Sequence, residues 1–278
     1  MSKASNSPEK KAQSEAEDGG LRPDVAAWGV VLYAGCRAIE IFLEAQSMAA
    51  AVGQAVLVEW GSSRLGVNWS NPNVPTTSIV IARRAATGAA IGLGVAGLVF
   101  ATLVATRAVT LDAVTHLEAS ILGIGLLTAG LHAWRDELLF HGLTLRALGT
   151  SVSSLGRVLA CGVTSAGAAL GRSDASARSV FVALLLGIVF GALWLRDGGG
   201  SGSGGAWQPW AADTAFQWTV GTLLAGGVLH ARLADDVWAG GSAGMLSGTA
   251  ATIALVPVSV LSLLWTVRRM SPRSAGVG

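Results

Sequence analysis

Two adjacent carboxylates, Asp136 and Glu137, lie at the end of an apolar run, with His132 four residues before the first and His141 four residues after the second. On a helix, residues four apart sit one above the other, so the four ionisable side chains occupy two adjoining faces. One chemistry open to them is general acid/base catalysis: a carboxylate takes a proton from water while a second group steadies the developing oxyanion. A zinc site is another, since carboxylate and imidazole both ligate that ion. There is no His-Glu-x-x-His and no further clustered His or Cys, so neither a metal nor a cofactor is expected. The third is structural, an interfacial acidic pair balanced by Arg135 and Arg146. In hydrocarbon such charges are costly and need a partner or a task.

The elements that must carry these residues are membrane helices. Of 278 residues, 51% are hydrophobic and 13% charged, against about a quarter charged in soluble domains. Several apolar stretches approach or exceed the roughly 18 residues that cross a bilayer as a helix. The expected fold is all-α, a polytopic transmembrane bundle of seven to eight helices. A net charge of +2 offers no case for nucleic acid. Cys36 and Cys161 have no metal or redox spacing and read as small apolar packing residues. All three lysines fall in the first eleven residues and every later basic residue is arginine, a bias that, with abundant Ala and Gly, points to a GC-rich bacterial source.

Four regions follow. Residues 1–23 are a polar tail without the apolar core of a signal peptide. Residues 24–110 hold the N-terminal transmembrane helices and a loop. The first apolar segment, Val25–Val58, carries Arg37, Glu40 and Glu44 on one face, a spacing that suits an ion pair and leaves gating or substrate binding open. Trp60–Thr77 is turn-rich and reads as an extramembrane loop. Ala85–Thr106 is a span in which Gly88, Gly92, Gly94 and Gly97 would admit a neighbouring helix.

Residues 111–267 contain the remaining spans: Ala119–Trp134, Ser151–Leu170, Ser179–Leu195, Thr214–Leu233, and a stretch from Val237 to Val267 that Pro257 could break. Gly198–Gly205 is a flexible loop, and Trp207, Trp210 and Trp218 read as an interfacial aromatic belt. Residues 268–278 are a basic tail. Basic residues near both ends favour the cytoplasm for both termini, hence an even number of helices, eight.

Asp136-Glu-Leu-Leu-Phe-His-Gly-Leu-Thr-Leu-Arg-Ala-Leu148 resembles the first motif of the CAAX-protease and bacteriocin-processing (CPBP, or Abi) family of intramembrane proteases, whose usual form is Glu-Glu-Leu-Leu-Phe-Arg-Gly. The resemblance covers about Ala119–Leu255. It implies a CAAX-protease-like helical bundle, in which Asp136 matches the acid that activates water, Glu137 the second acid and His141 the arginine. Aspartate shortens the reach by one methylene, and misplacement by about 1 Å can cost about a hundredfold in rate. The family's Phe-x-x-x-His motif falls on Phe190–Trp194, so Trp194 stands for the histidine. Its last motif, a histidine followed four residues later by Asn or Asp, falls on Gly244 and Gly248 after Trp238, with His230 and Arg232 just upstream. That glycine pair would instead pack helices as Gly-x-x-x-Gly.

The resemblance implies a multi-pass protein of the bacterial inner membrane, in contact with membrane lipid. Three functions stay open. The chain is a catalytically impaired homologue that binds a peptide, lipidated protein or other protein partner. Or it is an active CAAX-type endopeptidase, a hydrolase using His132, Asp136, Glu137 and His141 as a rearranged set. Or it is an unrelated membrane scaffold or transporter.

Overall fold

The computed structural model describes residues 20–43, 46–70, 76–111, 119–172, 175–197, 205–224, 228–229, 231–234, 237–240 and 244–270. Helix α1 (Pro23–Phe42) starts on a proline, whose fixed φ suits the first turn, and α2 (Ser47–Arg64) follows it. Then come α3 (Ser78–Ala105) and α4 (Ala119–Asp136); α4 runs directly into a π-helical turn, Glu137–Gly142, and on into α5 (Leu143–Leu148). Helix α6 (Ser154–Leu170) is opened by Ser153, whose hydroxyl accepts from the Gly156 N–H. Next are α7 (Ala177–Asp197) and α8 (Trp207–Gln217), the latter prolonged by a second π-helical stretch, Trp218–Leu224; α9 (Thr249–Met270) is last. With α4 to α5 counted as one rod, the described residues form eight helical rods.

Helices α1, α3, α7 and α9 are long and apolar enough to cross a membrane, which by length and composition makes the chain a multi-pass membrane protein. Large apolar side chains on the outer faces, among them Phe42 at 85%, Ile79, Ile124 and Leu261, are exposed. So much apolar surface fits hydrocarbon as the outer solvent rather than water.

The interior is organised by α7. One side of it, through Val182, Leu185, Val189, Phe190 and Leu193, joins a cluster with α3, α8 and α9. The other, through Ile188, Ala192, Trp194 and Leu195, joins a cluster with α1, α2, the π-helical turn and α6. Gly88 and Gly92 let α3 lie directly on α8: a methyl at either would run into the carbonyl oxygen of Gln208 or Ala212. Gly94 and Gly97, expected to share that role, face open space, because they lie on the other faces of α3.

Contacts fix which helix ends lie together. Arg84 in α3 pairs with Asp197 at the end of α7 at 3.0 Å. The same carboxylate accepts from the backbone N–H of Gln208 at the start of α8. The Arg196 guanidinium lies 5.5 Å over the ring of Trp265, late in α9, and Arg22 N–H donates to Ala147 O at 2.7 Å. At the opposite end, β1 (Val109–Leu111) and β2 (Ala231–Leu233) form an antiparallel ribbon with Thr110 opposite Arg232.

Several expected boundaries move. Val25–Val58 is not one span but parts of α1 and α2, which turn back on each other, and Arg37 and Glu40 do form an ion pair. Trp60 belongs to α2 rather than to a loop. Thr214–Leu233 is not a continuous span; its helical part ends at Leu224, and residues 231–233 are drawn into the ribbon with β1. Pro257 does not divide the last stretch. It sits inside α9, whose Ser259 hydroxyl donates both to Leu255 O and to Leu185 O of α7, and the break falls before Thr249 instead. Glu44, residues 71–75, 1–19, 198–204 and 271–278, and His230 lie outside the described residues.

Candidate functional site

The π-helical turn sets the site. Such turns add a residue to the helical register and occur often where a side chain must be re-aimed. Here the turn runs from Glu137 to Gly142, and both ends of the expected Glu137–His141 pair lie in it. Glu137 is 0% exposed and His141 2%, with His141 Nδ1 3.0 Å from Glu137 Oε2. Glu137 Oε2 and His141 Nδ1 share this one hydrogen bond, and His141 Nε2 faces Ser165 Oγ of α6 at 3.5 Å, the long limit of a hydrogen bond. Glu137 Oε1 is buried without a hydrogen-bond partner among the described residues.

Asp136 and His132 belong to a different face. Arg135 Nε donates to Asp136 Oδ1 at 2.6 Å, while its Nη1 donates to Gln54 Oε1 at 2.7 Å. Gln54, buried in α2, donates in turn to Cys36 O of α1 at 3.0 Å. The acid nearest in sequence to Glu137 is thereby tied toward α1 and α2. His132 is half-buried on this side, where the charges of Arg135, Asp136 and Glu40 reach it. The four residues of the sequence motif therefore divide into a buried pair and an ion-paired cluster. Of the two arginines expected to balance the acids, Arg135 does so; the Arg146 guanidinium lies against Gly66 instead.

Trp194 closes the inner wall. It is 0% exposed, and a methyl on Gly142 would come within 3.0 Å of two of its ring carbons and 2.7 Å of Val67. Gly142 thus lacks a side chain because the indole needs that space. Trp194 Nε1, like Thr214 Oγ1 on α8, is buried with no hydrogen-bond partner among the described residues. Phe190, one turn earlier on α7, meets the His141 ring edge-on at 6.3 Å.

Gly244 and Gly248 do not form a helix-packing pair. They flank a single 3₁₀ turn, Met245–Ser247, ahead of α9. Gly244 has φ +83°, a left-handed conformation that glycine adopts without penalty. A methyl on Gly248 would run into Trp238 O, so this glycine closes the loop on itself.

Sequence reasoning missed Asp213. This buried residue of α8 accepts from Gln217 Nε2 at 2.9 Å and lies close enough to Glu137 and Asp136 for their charges to act on it. A lone aspartate in the apolar stretch Ala211–Phe216 was the available signal. Glu59 was missed as well: its Oε2 accepts from the indoles of Trp69 at 2.8 Å and Trp134 at 2.9 Å. Trp207, tilted, and Trp210, edge-on, pack against Trp69 with ring centroids 4.9 and 6.0 Å away. These tryptophans thus pack on one another, and Trp218 donates to Leu122 O of α4.

Among the described residues, no group of three or more His, Cys, Asp or Glu side chains is placed to hold a metal ion. No family model, curated protein or solved structure matches the chain.

Proposed function

We propose that this membrane protein is a divergent CPBP-type homologue that has lost turnover and binds a peptide or lipidated protein partner within the bundle. The observation that carries this reading is Trp194. Where the family has a histidine, a fully buried indole lies on Gly142, beside the Glu137–His141 pair. An indole N–H can donate a hydrogen bond but cannot accept a proton from water. Two further features support the reading. Asp136, matched to the water-activating acid, is engaged by Arg135 toward α1 and α2, and Gly244 and Gly248 offer no side chain. The bacterial inner membrane is the proposed location. The bundle end that gathers Arg83, Arg84 and Arg196 faces the cytoplasm by the positive-inside bias.

The test uses the full chain in lipid nanodiscs with fluorescent farnesylated and unprenylated CAAX peptides. Saturable binding of the farnesylated peptide is expected, with no cleavage above that of Asp136→Ala and Glu137→Ala. No binding of either peptide would overturn the partner reading. Cleavage by the wild type that disappears in Glu137→Ala would replace it with the second reading, an active endopeptidase. One observation favours that alternative: Glu137 Oε1 is free of partners and Asp213 is within electrostatic reach of it.

A further inference from the structure

At the end of the bundle where α3 begins and α7 stops, a pocket of about 210 Å³ is lined by Arg83, Arg84, Thr87, Arg196, Asp197 and Gln208. Three guanidinium groups thus meet one carboxylate. Asp197 is fully engaged inside the protein. One oxygen binds Arg84 at 3.0 Å and the other accepts from Gln208 N–H at 3.2 Å. It carries one negative charge against three positive ones, and acts on Arg196 as well as on Arg84. Among the described residues, Arg83 and Arg196 have no carboxylate partner. Arg196 is propped against the Trp265 ring, and the Thr87 hydroxyl is tied back to Arg83 O at 2.8 Å. The result is a concave surface with excess positive charge.

We propose that this pocket binds a phosphate group, with Arg83 and Arg196 supplying the uncompensated charge and Arg84 a third guanidinium. Planar guanidinium forks match phosphate oxygens two at a time. The volume is several times the ~30 Å³ that one water occupies in the liquid. Its depth points to the source. The pocket lies where two membrane-length helices, α3 and α7, have their ends, the level at which phospholipid phosphates sit and basic pockets between helices take anionic headgroups. Free inorganic phosphate would present the same chemistry, and the experiment separates the two. The site is independent of the family reading proposed above, since it uses none of the residues in the π-helical turn.

The full-length protein, purified in detergent, is titrated with dioleoyl phosphatidylglycerol, dioleoyl phosphatidylcholine or inorganic phosphate, reading thermal stability and lipid retained in native mass spectrometry. Phosphatidylglycerol should bind about 30-fold more tightly than phosphatidylcholine, the weight of two uncompensated arginines. The variant R83Q/R196Q, which leaves Arg84–Asp197 intact and changes exposed side chains, should lose that preference. R83K/R196K, which keeps the charge but loses the two-pronged forks, should keep only part of it, and R83Q alone should lose about fivefold, which keeps the test open should the double variant fold poorly. Phosphatidylglycerol retained against millimolar phosphate assigns the site to lipid. Displacement, with equal stabilisation by phosphate alone, assigns it to the free anion. Equal binding of both lipids with no response to phosphate, or unchanged selectivity in R83Q/R196Q, overturns the proposal.

Discussion

Glu137 and His141 should behave as one energetic unit. Glu137 has one oxygen on His141 and the other on nothing, with no exposed surface. Replacing His141 by leucine leaves a buried carboxylate with neither oxygen bonded, a loss of about 3–5 kcal/mol. Glu137→Leu orphans only a neutral imidazole that still faces Ser165, and should cost about 1–3 kcal/mol. If the two effects simply added, the double leucine variant would lose about 4–8 kcal/mol. Replacing both partners by apolar groups of similar volume removes the buried polar problem itself, so the double variant should lie within about 1 kcal/mol of wild type. The coupling is then about 3 kcal/mol or more, over a hundredfold in the unfolding equilibrium. The assay is reversible unfolding in mixed micelles by SDS titration, followed through the fluorescence of the chain's 10 tryptophans. Additivity of the singles within about 0.5 kcal/mol would refute the pairing as the reason both groups tolerate burial.

Gly92→Ala forces a methyl onto Ala212 O and should destabilise the α3–α8 contact by about 1–3 kcal/mol, whereas Gly97→Ala, which meets open space, should be neutral or slightly stabilising; the same SDS titration reads both. Gly142→Ala should cost about 1–3 kcal/mol and shift the emission of Trp194, because the new methyl meets that indole and Val67 together; unchanged emission and stability would contradict the packing described. Glu59→Leu strands the indole N–H groups of Trp69 and Trp134 and should cost about 1–3 kcal/mol for each one left buried, with a red-shifted tryptophan spectrum as the second readout. If all eight rods cross the membrane, residues 20 and 270 lie on the same side of it, so cysteines introduced there should react with an impermeant thiol reagent from one side only, and labelling from opposite sides would remove a rod from the count.

The helical membrane character, the approximate number of rods and the Glu137–His141 contact were legible because each depends on local information. Uninterrupted apolar length decides whether a helix can cross, and four-residue spacing decides which side chains can touch along it. Arg37–Glu40 was readable for the same reason. What spacing cannot give is the direction in which a helical face points once neighbours pack on it. Asp136 and Glu137 are adjacent in the chain, yet Arg135 and Gln54 of α2 hold one toward α1 and α2 while the π-helical turn buries the other. Asp213 joined the acids because α8 packs along α4, where the Trp210 indole donates to Gly130 O. Gly244 and Gly248 have helix-packing spacing, but the left-handed backbone at Gly244 and the close approach to Trp238 O make them a loop. The sequence by itself determined the material, an apolar helical chain with a few costly charges placed at helical spacing. The tertiary structure alone decided which of those charges meet, because burial in hydrocarbon penalises every unpaired polar group and the bundle's packing chooses the partners within reach.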